Sequence, residues 1–482
     1  MLIRQTLLYL PAQFLSPVAQ FLSMMVWTWW LAPEAMAAFA LVTATQELAY
    51  MFARSWFSFY TLRFLPLPED HEGRRRYLGT ETTLMLLLAL PEIGAAAFGI
   101  GFFNGSSDPL TLFGIVALYY VSRGLNNHYA ERARAQNAIL AYTIFQTCGP
   151  LGGLFGGMVV VHYWGASAEH LLLAYGLLQV LGTLVALPMI GFSLHPRRPD
   201  MAILKAAFAN GGPMLVINCM GWVAENNIRY IVDAIAGAAA FGLLSVGWGI
   251  GRRCASVAAM LVAAAAFPLA ARMLNAGDRT GAYRQLTINA ALLTAVLFPA
   301  MVGLALVGDR LVDLAVAEVY REVTKSVLVL AAVGGTVRFY HLHVTDQVLL
   351  LERKYFLIGV IDAVEIVATV ALSILGFYEA GLPGVVAGSL AGSVLTLAYS
   401  SYLAVSGPGF RFPVLDTAKI AFATAVMAFA VRALPVSPTA LGLGISIGIG
   451  GLTYALTLAI VYFPILKPMM VARFSRHANG LS

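Results

Sequence analysis

Fourteen apolar stretches separated by short polar breaks run through this chain from end to end. A helix rises 1.5 Å per residue, so about 20 apolar residues cross the hydrocarbon core of a bilayer. The stretches lie at 6–31, 36–62, 79–103, 109–130, 138–163, 170–193, 206–235, 238–270, 286–308, 326–350, 355–377, 381–405, 415–434 and 440–464. They predict an all-α polytopic membrane protein, with two six-helix bundles at 1–200 and 201–408 and a C-terminal helix pair with its tail at 409–482. The start, Met1-Leu2-Ile3-Arg4-Gln5, has some signal-peptide character. The apolar run continues to Trp30 with no small-residue cleavage site after it, so it is read as a retained first span.

The polar breaks alternate in charge. One set carries Arg74-Arg75-Arg76, Arg132 and Arg134, Arg197-Arg198, then Arg272, Arg279 and Arg284, Arg353-Lys354, and Arg411 with Lys419. The intervening set, at 32–35, 104–108, 165–169, 236–237 and 377–379, is nearly uncharged; 309–325 carries balanced charge. Basic loops collect on the cytoplasmic side, so both termini are expected inside the cell. The tail, with Lys467, Arg473 and Arg476, fits the same end. No loop is longer than about 20 residues, which leaves no room for a soluble catalytic or nucleotide-binding domain. No P-loop motif is present. A non-enzymatic role is expected, with no cofactor, no metal and no nucleic-acid partner.

Composition agrees. The chain is 60% hydrophobic and 11% charged, with mean hydropathy +0.79, against about 25% charged residues in a soluble chain. Only five of the 30 basic residues are lysines. Arginine's planar fork binds two phosphate oxygens at once, so the bias has chemical content. Cys148, Cys219 and Cys254 lie within spans without metal-ligand spacing and read as small apolar fillers.

Six arginines interrupt the apolar spans: Arg54, Arg123, Arg229, Arg252, Arg253 and Arg338. Each would cost about 2.5–3.5 kcal/mol facing lipid at mid-bilayer, and six together roughly 15–20 kcal/mol. That exceeds the net stability of most proteins, about 5–15 kcal/mol. They must turn inward, and a buried group of guanidiniums is a place for an anion. For Arg54 and Arg123, which lie toward the basic-loop ends of their spans, snorkelling to the surface is the alternative.

Carboxylates share these spans. Glu225, Arg229 and Asp233 stand at i, i+4 and i+8 on one face, as a packing ladder or as a cavity wall that releases arginine on protonation. Glu47 lies two turns before Arg54. Asp362 and Glu365 lie one turn apart and are either relay carboxylates or counter-ions for Arg338. Asp233, Glu225, Glu47, Asp362 and Glu365 are the ion-coupling candidates. His341, His343 and Asp346 near Arg338 read as hydrogen-bonded packing. Trp27, Trp29 and Trp30 read as interface anchors. Ala37-Ala38-Phe39-Ala40-Leu41 recurs as Ala239-Ala240-Phe241-Gly242-Leu243 six spans later, as a parallel repeat would require.

Several words carry a family likeness. Ala32-Pro33-Glu34, the run from Arg229-Tyr230 through Ala236-Gly237-Ala238-Ala239-Ala240-Phe241-Gly242-Leu243, and Tyr378-Glu379-Ala380-Gly381-Leu382-Pro383-Gly384-Val385-Val386-Ala387 resemble polysaccharide exporters of the Wzx type. Arg132-Ala133-Arg134 and Glu352-Arg353-Lys354 fall where that family has short basic turns. The resemblance implies the fold of the multidrug/oligosaccharidyl-lipid/polysaccharide superfamily. It implies a flippase that moves an undecaprenyl-pyrophosphate-linked oligosaccharide across the bacterial cytoplasmic (inner) membrane by alternating access. Membrane lipids, a polysaccharide polymerase and a chain-length regulator are the implied companions. One departure is Ile228, where the family has an acid before the span 7 arginine. An ion-coupled exporter of small molecules and a peptidoglycan-precursor flippase are the alternatives, and an acid-free first span speaks against the former.

Overall fold

The structure is a computed structural model. It describes residues 2–66, 70–103, 108–192, 194–407, 409–434 and 439–478, and side chains throughout these except at 2–14, 261, 263–266, 268 and 465–478. Most of the uncharged turn expected at 104–108, and the side chains of Lys467, Arg473 and Arg476, lie outside the described residues.

The described residues form helices and no strand. In chain order these are α1 (Leu2–Trp27), α2 (Pro33–Phe64), α3 (His71–Phe102), α4 (Pro109–Ala135), α5 (Ile139–Trp164) and α6 (Ala168–Ile190). Then come α7 (201–236), α8 (238–275), α9 (Arg279–Ala315), α10 (Glu318–Leu351), α11 (355–379), α12 (382–406), α13 (Val414–Ala433) and α14 (Ala440–Ala478). Among the described residues, ten helical stretches are long and apolar enough to cross a membrane. Two of the ten are rods holding two helices each, and α1 and α4 complete the fourteen. The chain is a multi-pass helical membrane protein.

Local chemistry sets the helix ends. Pro33 and Pro109 begin their helices, where a missing N–H is harmless. Asp70, Asp108, Ser167 and Asp278 cap the starts of α3, α4, α6 and α9 by accepting backbone N–H bonds. The Thr111 N–H and hydroxyl hold the Asp108 carboxyl below its ordinary value. The rod at 201–275 breaks at Gly237, with φ 84° and ψ 168°, where the sequence predicts a turn. The second rod breaks at Ala380–Gly381, just beyond the expected turn, because Gly381 adopts φ 61° without steric cost.

Glycine also sets the approach of α12 to α11. Gly384, Gly388 and Gly392 recur every fourth residue along one face. A Cβ on Gly388 would overlap the Leu372 carbonyl oxygen, and one on Gly392 would lie 2.7 Å from the Thr369 nitrogen. This is the small-residue stripe by which membrane helices bring backbones close. The recurring alanine-rich words start α2 and α8, and those starts touch: a Cβ on Gly242 would overlap the Pro33 carbonyl oxygen.

The chain divides into two compact units. The first comprises 1–250, 322–324 and 358–392; the second comprises 251–321, 325–357 and 393–482. One core of the first unit gathers Phe57, Tyr77, Tyr129, Tyr142 and Phe145. That of the second gathers Tyr283, Leu286, Leu293, Leu297, Val344 and Phe410. In the second unit α14 lies on α9, where Tyr454 donates to the Ala295 carbonyl at 2.6 Å. One expectation is corrected. Trp27 is 1% exposed and packs against Gly157 in α5, so it is a core residue, while Trp29 and Trp30 are exposed. The α5 backbone has no side chain at Gly157, and that opening admits the ring.

Candidate functional site

Among the described residues, two arginines of the first unit are fully buried, and both are neutralised. Arg54, on a π-helical turn of α2, is 0% exposed. Its Nε and Nη2 each donate to Glu92 of α3 at 2.8 Å, and Nη1 donates to the Met85 carbonyl at 3.1 Å. Arg132 of α4, expected in a basic turn, is also 0% exposed. Its Nη1 meets Glu81 at 2.6 Å, and its Nη2 donates to the Ile190 and Gly191 carbonyls at 3.1 and 3.2 Å. Helix α4 extends past its apolar stretch, so its last turn is covered by the end of α6. Glu81 also meets His128 Nε2 at 2.9 Å, and His128 Nδ1 bonds Ser58 at 3.0 Å. A buried charge is tolerated when it is paired and hydrogen-bonded. All three Arg54 nitrogens have partners, and Arg132 engages both terminal nitrogens while its buried Nε has none. Glu81 and Glu92 were missed in reading the sequence. The signal was present: two carboxylates within one apolar span that lacks a span cation of its own.

Arg123 and Arg229 are different. Both are half-buried, and neither has a carboxylate within ion-pair distance among the described residues. Arg229 Nη1 donates to the Ala40 carbonyl at 3.2 Å, and its buried Nε finds no acceptor. The expected ladder therefore does not close: Arg229 bridges neither Glu225 nor Asp233. Asp233 is half-buried without an ion pair, whereas Glu225 has a polar partner of its own. Tyr230, beside Arg229, bonds Thr45 of α2 at 2.9 Å. Arg229 and Glu47 lie within electrostatic reach of Tyr230, and Arg123 and Glu47 within reach of Tyr119. Glu47 itself is exposed. Helices α2, α4 and α7 thus bring two cations, one carboxylate and two phenols into one neighbourhood.

In the second unit, α8 crosses α10 closely. A Cβ on Gly335 would sit 2.8 Å from that of Ala255 and 3.4 Å from the Arg252 Cα. The absent side chain at Gly335 lets the Arg252 stem pass one turn from Arg338. Arg252 and Arg253 are half-buried, Arg338 is 3% exposed, and all three have polar partners. Arg338 Nη1 lies 3.3 Å from His341 Nδ1. His341 opens a π-helical turn, and its Nε2 lies 3.0 Å from Asp346. His343 stacks on Phe339 at 5.9 Å, a packing role. Asp362 and Glu365 of α11, in the first unit, are buried and engaged.

Comparison with known proteins places the fold. Residues 91–325 match the family model described as polysaccharide biosynthesis protein. The inward closed conformation of the lipid II flippase MurJ aligns over 95% of this chain and 100% of its own, with TM-score 0.69 and 15% identity. The chain shares the fold of that flippase. Two further structures share the fold. An inward-facing multidrug resistance MATE family transporter aligns over 81% of this chain and 94% of its own, with TM-score 0.58 and 14% identity. A Vibrio cholerae MATE transporter aligns over 83% and 97%, with TM-score 0.54 and 14% identity. No curated protein matches the chain in sequence. The matched structures are those of a flippase and of transporters, and at 14–15% identity the likeness is one of fold.

Proposed function

We propose that this chain flips an undecaprenyl-pyrophosphate-linked oligosaccharide across the bacterial cytoplasmic membrane, for exopolysaccharide, O-antigen or capsule synthesis. One observation carries the reading. The fully buried arginines, Arg54 and Arg132, each hold a glutamate, whereas Arg123 and Arg229 stand half-buried in their spans with no carboxylate bound. Guanidinium pairs left open in a low-dielectric site attract a ligand of high negative charge density. A pyrophosphate fits, and its sugars suit the phenols and hydroxyls alongside. The matching family segment, described by polysaccharide biosynthesis, supports a glycan cargo.

In this reading Arg123, Arg229, Arg252, Arg253 and Arg338 bind the cargo, and Arg54 is an internal strut. Asp233 and Glu47, which hold no cation, are the leading ion-coupling carboxylates; Glu225, Asp362 and Glu365 act as counter-charges. The cycle runs by alternating access of two six-helix halves, 1–200 and 201–408, with 409–482 appended. Both termini lie in the cytoplasm, as the basic loops require. A polymerase and a chain-length regulator receive the product.

The test replaces Arg123 and Arg229 singly by alanine in cells that make the polymer, and follows the lipid-linked glycan. Accumulation of the lipid-linked unit with membrane insertion intact is expected. Full polymer production by both variants refutes the cargo assignment. Accumulation of a peptidoglycan precursor instead transfers the assignment to that cargo.

A further inference from the structure

The second unit carries a cationic cavity at the ends of its helices, away from the span arginines. It has a volume of about 460 Å³ and is lined by Leu274, Arg279, Tyr283, Glu352, Arg353 and Lys354. The turn between α8 and α9 supplies one wall, and the turn between α10 and α11 supplies the other. We propose that this cavity binds the phosphate-bearing headgroup of an anionic membrane lipid.

Three cations face one carboxylate, which leaves two positive charges. The carboxylate is consumed internally. Lys354 Nζ meets Glu352 at 2.6 Å, and the Tyr283 hydroxyl donates to Glu352 at 2.8 Å. Arg279 lies over the Tyr283 ring, 5.7 Å from its centre, with Nη2 reaching the hydroxyl at 3.4 Å. That contact orients the guanidinium without neutralising it. Arg353 is exposed and has no ion pair among the described residues. Its backbone is left-handed, with φ 58°, a conformation unfavourable to a side chain with a Cβ. The turn is closed by Arg353 N–H to Leu350 and Lys354 N–H to Leu349 bonds, which hold that conformation.

The surroundings favour a lipid over a free anion. Tyr355 and Phe356 follow Lys354 at the start of α11 and are 47% and 86% exposed. Exposed aromatics at a span end sit at headgroup depth. A phosphate held by Arg279 and Arg353 would have apolar surface beside it for acyl chains. Basic pockets between membrane helices recognise anionic headgroups by this combination.

Native mass spectrometry of the full-length protein in detergent tests the assignment, titrating phosphatidylglycerol, phosphatidylcholine and inorganic phosphate separately. Wild type should bind phosphatidylglycerol in preference to both others. The Arg279→Gln/Arg353→Gln variant leaves the Lys354–Glu352 pair intact and should bind phosphatidylglycerol about thirty-fold more weakly, at roughly a fivefold effect per cation. Arg75→Gln/Arg198→Gln removes the same charge from exposed positions elsewhere and should bind as wild type does. Equal losses in the two double variants would reduce the site to diffuse surface charge and overturn the proposal. Tighter binding of inorganic phosphate than of phosphatidylglycerol would overturn the lipid assignment. Circular dichroism of each variant confirms the fold before titration.

Discussion

Replacing Glu92 by alanine should destabilise the protein strongly, and adding a change at Arg54 should reverse most of the loss. Both side chains are 0% exposed, and two parallel bonds of 2.8 Å join them. Removing Glu92 leaves a guanidinium in the helix bundle with only the Met85 carbonyl and sulfur for company. Breaking a buried pair from one side costs about 3–5 kcal/mol. At about 2 °C per kcal/mol for a large domain, the thermal midpoint should fall by roughly 6–10 °C. Replacing the whole pair by apolar residues of similar volume is often neutral or stabilising, so Arg54→Met/Glu92→Leu should recover most of the loss. Thermal unfolding of the purified variants, followed by tryptophan fluorescence at one fixed scan rate, reads both effects. The same double variant is then assayed for polymer production, which should persist if Arg54 is a strut. A wild-type midpoint for Glu92→Ala would refute the energetic reasoning. A stable double variant that makes no polymer would return Arg54 to the cargo site.

Three further outcomes are expected. Arg229→Lys keeps the charge but loses the two-pronged fork, so polymer production in cells should drop well below wild type; undiminished production would reduce the role of Arg229 to charge alone. Gly388→Val forces the α11 and α12 backbones apart and should cost roughly 1–3 kcal/mol or more, read as a lower thermal midpoint; an unchanged midpoint would dismiss the close approach. Burial acts to raise the Glu352 carboxyl, but the Lys354 ammonium and the Tyr283 hydroxyl outweigh it and hold the group below its ordinary value. Its stabilising contribution is therefore present above the ordinary glutamate pKa of about 4.3 and lost as pH falls through the lower folded value. Glu352→Gln should be less stable than wild type at neutral pH, and the difference in thermal midpoint should shrink on acidification below that range.

Hydropathy along the chain was enough to identify fourteen helices, the breaks near 237 and 380, and the basic loop set. Each of these depends on residues within about 20 positions of one another, a distance that a local window covers. The glycines at 384, 388 and 392 have an equally local spacing, but only the structure revealed them as a packing stripe. The partners of the arginines were not. Arg54 is answered by Glu92 and Arg132 by Glu81, residues 38 and 51 positions away, on a helix whose face is set by packing. By sequence spacing Arg229 faced Glu225 and Asp233 on its own helix, yet its rotamer turns instead to the Ala40 carbonyl of another. Helical periodicity decides which residues share a face. Only the tertiary structure decides which face meets which, because the cost of burying a charge is settled between helices. Six span arginines were therefore determined by the sequence as an anomaly, and the fold alone separated Arg54, which is neutralised by Glu92, from Arg123 and Arg229, which pair with no carboxylate among the described residues.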